Sequence, residues 1–158
     1  MGIGKTNLFK SESCEYSTPQ WLFNLLDKEF EFNLDVCASE KNNKCEKYFS
    51  LKDNALKCDW IGHFWMNPPF SRDLKVWVKK AYHEAQKPNN IGVCLLPVRS
   101  NTNWWCDMVL NGEIRFIRGE LKFEGNDRGL WQGMCIIIWG NGCEGLCGCI
   151  DSKDAQGL

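Results

Sequence analysis

Ile91 to Leu96 is a near-continuous apolar run. A strand of that composition is buried on both faces, so it belongs inside a sheet that is covered by helices on both sides. The segment before it points the same way. His63 to Met66 has the composition of a strand and runs directly into Asn67-Pro68-Pro69-Phe70. Two prolines in a row end a ladder, because neither has an N–H to donate. Ser71 suits a helix cap, and Leu74, Trp77, Val78, Ala81 and Ala85 follow as an apolar stripe at helical spacing. Pro88-Asn89-Asn90 is a turn back into the apolar run.

The flanks extend this pattern. Thr18 suits a helix cap and Pro19 its first position, ahead of Trp21, Leu22, Leu25, Leu26 and Phe30 at helical spacing. Phe32 to Cys37 alternates as a short strand, with Asp35 near its C-terminal end. Residues 38–62 are polar and irregular, anchored by Tyr48-Phe49 and Leu56. Thr102 to Leu110 is a short helix, and Glu113 to Arg118 and Met134 to Trp139 are strands joined by a Gly-rich loop. The order predicts an α/β sheet with helices on its faces. Residues 1–16 are expected to be a flexible arm, 17–140 the folded domain and 141–158 a Gly/Cys-rich tail. In such sheets ligands bind beyond the C-terminal ends of the strands, where Asp35 and Asn67 both fall.

A chain of 158 residues fits one domain that buries its own core. It contains no run of about 18 apolar residues and no signal-peptide pattern at its start, so no membrane span is expected. Ten cysteines suggest disulfides at first sight. Cys37, Cys94 and Cys135 sit in apolar segments, however, and the expectation is free thiols in a reducing cytoplasm. A formal net charge of −1 argues against a general nucleic-acid binder but leaves room for a locally basic cleft. Lys75, Lys79 and Lys80 cluster near Asn67, and Arg72, Arg99, Arg115 and Arg118 are the arginines to consider.

Asn67-Pro68-Pro69-Phe70 has a specific chemical capacity. An exocyclic amine on a base is a poor nucleophile, because its lone pair is delocalised into the ring. Engaging both of its N–H bonds draws the nitrogen toward a tetrahedral shape and frees that lone pair. Asn67 supplies a side-chain carbonyl, Pro68 a backbone carbonyl in a segment stiffened by Pro69, and Phe70 a ring for stacking. A base in a duplex reaches such a site only by leaving the stack. The plainer reading is a loop after a strand, with Phe70 in the core.

Beyond the tetrapeptide, several ordered segments resemble the phage-type Dam DNA N6-adenine methyltransferases. They are Ser17-Thr18-Pro19-Gln20 through Leu26, Leu34 to Ser39, Cys45 to Phe49, Asp59-Trp60, Trp65 to Ser71, Leu95 to Arg99 with Trp104-Trp105, and Ile114 to Phe123. The resemblance spans roughly residues 17–139. It implies a Rossmann-like SAM-dependent methyltransferase fold, with a mainly parallel sheet and an antiparallel edge hairpin. It further implies S-adenosyl-L-methionine (SAM) as cofactor, double-stranded DNA as substrate and adenine in GATC-like sites as target. The setting it implies is the cytoplasm of a bacterial host, with a phage or prophage origin. On this resemblance Asn67, Pro68, Pro69 and Phe70 are the catalytic loop. Thr18 and Pro19 lie near the SAM methionine, and Asp35 suits its ammonium group.

The Gly-rich turn usual after the first strand is replaced by Cys37-Ala38-Ser39, whose small Ala38 still permits close approach of a cofactor. Asp53 and Asp59 are candidates for the SAM ribose or adenine, and equally solvated loop residues or helix caps. Arg72, Lys75 and Arg99 are candidates for DNA contact, against ordinary surface roles. Trp104-Trp105 is assigned to the core before DNA, and His63 and His83 are expected to be non-catalytic. Cys143, Cys147 and Cys149 lack the fourth ligand of a structural zinc site unless Cys135 supplies it, and no metal is expected. The partner expected is duplex DNA, bound by a monomer or homodimer. Other readings are methylation of cytosine N4, RNA or protein glutamine, a non-catalytic DNA-binding relative, or a small zinc module.

Overall fold

A computed structural model of the chain describes residues 16–125 and 129–153. The expected arm therefore lies, apart from Tyr16, outside the described residues. Nine elements follow in chain order: α1 (Gln20–Phe30), β1 (Leu34–Asp35), β2 (His63–Met66), α2 (Leu74–Ala85), β3 (Ile91–Pro97), α3 (Asn103–Asp107), β4 (Glu113–Arg118), β5 (Met134–Trp139) and β6 (Cys147–Asp151). Short 3-10 turns occupy Ala55–Lys57 and Val109–Asn111.

The strands form one six-stranded sheet in the order β1-β2-β3-β5-β4-β6. β1, β2 and β3 pair in parallel, as do β4 and β6, whereas β5 runs antiparallel between β3 and β4. β6 falls in the segment expected to be a tail. It adds a parallel strand to β4 and makes the sheet one strand wider than the composition of that segment suggested.

The period-2 alternation of the strands splits the core into two layers. Phe64, Met66, Cys94, Leu96, Cys135 and Ile137 face α2 and α3 and pack with Trp60, Trp77 and Trp105. Trp65, Val93, Leu95, Ile136 and Ile138 face the other way, onto Leu22, Phe23, Leu26 and Phe30 of α1. All five α2 stripe residues, Leu74, Trp77, Val78, Ala81 and Ala85, are buried. No described helix is long and apolar enough to cross a membrane.

The two expected helix caps are used differently. α1 begins at Gln20, with Pro19 as its cap residue and no side-chain cap bond. The Gln20 N–H is accepted by the Glu124 carboxylate at 3.0 Å. Thr18 is not a cap because its hydroxyl bonds Asn67 instead. α2 begins at Leu74, and Ser71 closes the turn before it by accepting the Asp73 N–H at 3.3 Å.

Candidate active site at the C-terminal ends of β1 and β2

β2 ends at Met66, and Asn67 is the first residue beyond the ladder. Its Nδ2 donates to the Tyr16 carbonyl at 2.8 Å and to the Thr18 hydroxyl at 3.0 Å. A carbonyl only accepts, so the bond to Tyr16 fixes which end of the amide is nitrogen. The amide oxygen is left with no hydrogen bond among the described residues. Pro68 and Pro69 are buried, and the Pro68 carbonyl makes no hydrogen bond there either. Two acceptors on consecutive residues are thus unused among the described residues. Phe70 is half-buried, stacked on Tyr16 at 6.4 Å and edge-on to Phe123 at 6.3 Å.

Asn67 and Pro69 line a cleft of about 340 Å³, together with residues of three segments: 16–18, 35–44 and 48–52. That volume lies within the usual range for a small-molecule site. Asp35 lies in its wall and is 3% exposed. Its carboxylate accepts the N–H of Cys37 at 3.3 Å and of Lys44 at 3.0 Å, and has no side-chain cation as ion-pair partner among the described residues. The Lys44 ammonium points elsewhere, to Gln20 at 2.9 Å and Glu124 at 3.4 Å. Burial pushes the Asp35 carboxyl up to about 6, against the downward pull of the two N–H bonds and of the Lys44 charge.

The chain after β1 explains why no glycine is needed there. Ser39 donates its N–H and its hydroxyl to Asn42 Oδ1 at 2.7 and 2.9 Å, which closes the turn. The only described non-glycine residues with positive φ are Glu31, Asn54 and Asn89, so none lies in this loop. Phe49 accepts the Ala38 N–H at 3.0 Å and donates its own N–H to Asp35 at 2.9 Å, which folds the loop back along β1.

Thr18, Asp35, Ala38, Asn67 and Pro69 come together in this cleft, with Pro68 and Phe70 adjoining. Pro19 is buried behind it and accepts the first α1 N–H groups from Leu22 and Phe23. Asp53 does not line the cleft. It accepts the Ser50 N–H and hydroxyl, both at 2.7 Å, and so shapes the turn whose Ser50, Leu51 and Lys52 do. Asp59 lies at the opposite end of the sheet, before β2 begins, exposed and paired with Lys87 at 3.0 Å.

Arg72 and Lys75 are exposed and Arg99 half-buried, and none has an ion-pair partner among the described residues. Arg115, by contrast, is held by Glu29 and Glu113, Arg118 by Asp151 and Lys80 by Glu84. Trp105 is buried and Trp104 packs against the same core. No described His, Cys, Asp and Glu side chains group as a metal site requires. Cys135 is separated from Cys149 by β4, since both pair with Phe116.

Residues that the sequence did not single out complete the site. Tyr16 supplies the carbonyl for Asn67 and a ring against Phe70. Glu124 pairs by backbone with Ser17 and binds Gln20 and Lys44. Gln20 and Glu124 are 104 positions apart, and no local pattern announces such a contact. The aromatic residue directly before Ser17-Thr18-Pro19 was the available hint for Tyr16.

Comparison with known proteins identifies the family. A DNA N-6-adenine-methyltransferase of Haemophilus phage HP1 (strain HP1c1) is 35% identical over 130 residues, covering 79% of this chain and 75% of the relative. A DNA N-6-adenine-methyltransferase of Escherichia phage T1 is 37% identical over 119 residues, covering 71% of this chain and 49% of that relative. The chain thus spans about half the length of the T1 enzyme. The family profile described as DNA N-6-adenine-methyltransferase (Dam) matches residues 5–135, which include the Asn67 loop, Asp35 and the Tyr16–Thr18 segment, and the chain belongs to this family.

Proposed function

We propose that the chain transfers a methyl group from SAM to N6 of adenine in double-stranded DNA, with the base flipped into the Asn67-Pro68-Pro69-Phe70 loop. The observation that carries this reading is the pair of unused acceptors, Asn67 Oδ1 and the Pro68 carbonyl, beside a cleft with the buried carboxylate of Asp35. The cleft suits SAM. Asp35 has the charge for an α-ammonium and no side-chain ion pair among the described residues, and small Ala38 and Ser39 line the cleft beside it. Thr18 and Pro19 form the wall and its backing on the other side.

SAM supplies an electrophilic methyl on a sulfonium; the remaining work falls to the protein. Asn67 Oδ1 and the Pro68 carbonyl accept the two N6 hydrogens, the ring of Phe70 stacks on the base, and Asp35 orients the cofactor end of the cleft. Arg72, Lys75 and Arg99 meet the DNA phosphates, and a GATC-like target is the site to look for first.

The test is methyl transfer to unmethylated duplex DNA with labelled SAM, followed by mass spectrometry of the nucleosides. N6-methyldeoxyadenosine is the expected product, and sequencing of the product gives the target. Asn67→Ala is expected to lower kcat by about 10²–10³-fold with SAM affinity nearly unchanged, the range for removing one preorganised polar partner of a transition state. N4-methyldeoxycytidine keeps the mechanism and changes the base. Unlabelled DNA together with no SAM binding overturns the reading.

A further inference from the structure

We infer that Thr18 is a positioning residue, whose hydroxyl acts through Asn67 and not through the cofactor. The inference rests on the proposed role of Asn67.

A primary amide can turn about its last torsion and can exchange its two ends with little steric cost, because oxygen and NH2 are nearly the same size. An acceptor that must point at a reacting amine needs that freedom removed. In this protein the segment of residues 16–18 removes it. The Tyr16 carbonyl takes one Nδ2 hydrogen at 2.8 Å, and the Thr18 hydroxyl oxygen takes the other at 3.0 Å. With both hydrogens engaged, the amide plane is fixed and Oδ1 is the only atom it can present. Thr18 is 3% exposed, so its hydroxyl is held in place by the surrounding chain. The segment itself is anchored. Glu124 donates its N–H to the Ser17 carbonyl at 2.9 Å, and its carboxylate accepts the Gln20 N–H at 3.0 Å.

The same bonds have an electronic effect. When Oδ1 accepts a hydrogen from the amine, electron density shifts from the amide nitrogen to the oxygen and the Nδ2 hydrogens become more acidic. Acceptors already in place on those hydrogens make Oδ1 the better acceptor as the amine nitrogen becomes tetrahedral. The contribution of Thr18 is therefore larger in the transition state than in the ground state, which is the condition for raising kcat rather than binding alone. The Thr18 hydroxyl accepts from Asn67 and keeps its own O–H to donate, so SAM affinity is the readout that separates this role from a cofactor contact.

The experiment uses the full chain, unmethylated duplex DNA and SAM, each of the last two varied to saturation. Thr18→Val keeps the shape and removes the hydroxyl. It is expected to lower kcat by about 3- to 12-fold, the worth of one net hydrogen bond, with KM for DNA and the affinity for SAM near wild type. Thr18→Ser is expected to restore kcat. Thr18→Ala removes the hydroxyl without placing a methyl against the amide. It is read in the same way and carries the test if the Val variant fails to fold. In the Asn67→Ala background Thr18→Val is expected to have no further effect, because the two residues act as one unit. Unchanged kcat in both Val and Ala variants overturns the inference. So does a loss of SAM affinity with kcat intact, which would make Thr18 a cofactor contact, or a fully additive effect in the Asn67→Ala background. The failure of the underlying reading looks different: there Asn67→Ala itself keeps full activity.

Discussion

Asp35 carries a thermodynamic cost that its proposed role accounts for. A carboxyl that is 3% exposed and has only backbone partners among the described residues prefers its neutral form, hence its shift up to about 6 from the ordinary 3.8 of an aspartate. The folded state then binds a proton more tightly than the unfolded state. Stability is fully present below about pH 4 and is lost as pH rises through about 6, by up to about 3 kcal/mol. Burial together with the Asp35 charge pushes the neighbouring Cys45 thiol up to about 12, outside that window. Denaturant titrations of the unliganded protein at pH 4 to 7 should show this slope, and Asp35→Asn should flatten it. A cationic ligand beside Asp35 favours the charged carboxylate, so SAM affinity measured by calorimetry should fall as pH drops below about 6. An affinity independent of pH between 5 and 7 counts against Asp35 as the ammonium site. The candidate residues on this wall were legible because a carboxylate in an apolar strand and a double proline after another are chemically unusual. The partner of Thr18 was not legible, since a hydroxyl suited to a helix cap is equally suited to a side-chain amide across the fold, and only tertiary contact decides.

The elements were readable wherever hydrophobic period alone determines them. Glu113–Arg118 and Met134–Trp139 are strands over the expected residues, and the α2 stripe is buried throughout. Elements set by long-range pairing were less readable. Exposed Cys147, Gly148 and Cys149 carry no inward stripe, and β6 forms because β4 offers a free edge. The polar stretch 38–62 concealed another such case. Asn90, 7% exposed, donates to the carbonyls of Trp60 at 2.7 Å and Glu84 at 2.8 Å, and accepts the Gly62 N–H at 2.8 Å. One side chain thereby ties the end of α2 to the start of β2. Gly140 is pressed against it, with φ of +90° and a Cβ position only 2.5 Å from the Asn90 carbonyl, so no larger residue fits there. Asn90→Ala orphans the Trp60 carbonyl and the Gly62 N–H at about 1–3 kcal/mol each, less what water recovers, while the Glu84 carbonyl keeps the Lys87 N–H at 3.2 Å. Thermal denaturation should show a Tm lower by about 5–10 °C. The methyl-transfer kcat should hold, since this junction lies at the end of the sheet away from Asn67. A shift under about 2 °C would mean that water takes over the bonds to Trp60 and Gly62. Asp59 also sits at this end, as its place four residues before the start of β2 requires.

Across the whole molecule, stability and function are placed at different parts of the sheet. β3 and β5 are central, pair along six residues and are buried on both faces, so their amides open only with global unfolding. β1 is two residues long and lies at the sheet edge, and beyond it the cleft is built from loops. The segment of residues 16–18 is joined to the rest through Asn67 and Glu124. This arrangement gives a firm support under Asn67, which follows a β2 paired with β3 along all four of its residues, and compliant walls around the cofactor cleft. Ligand binding stabilises the states that hold the site together and leaves global unfolding to follow by mass action. Hydrogen exchange followed by mass spectrometry should therefore show the slowest amides in β3 and β5. Peptides covering residues 16–18 and 36–49 should exchange early in the free protein, and adding SAM should slow those peptides first. Slowing confined to the β4–β6 edge, with the cleft peptides unchanged, would place the cofactor elsewhere and remove Asp35 from its proposed role.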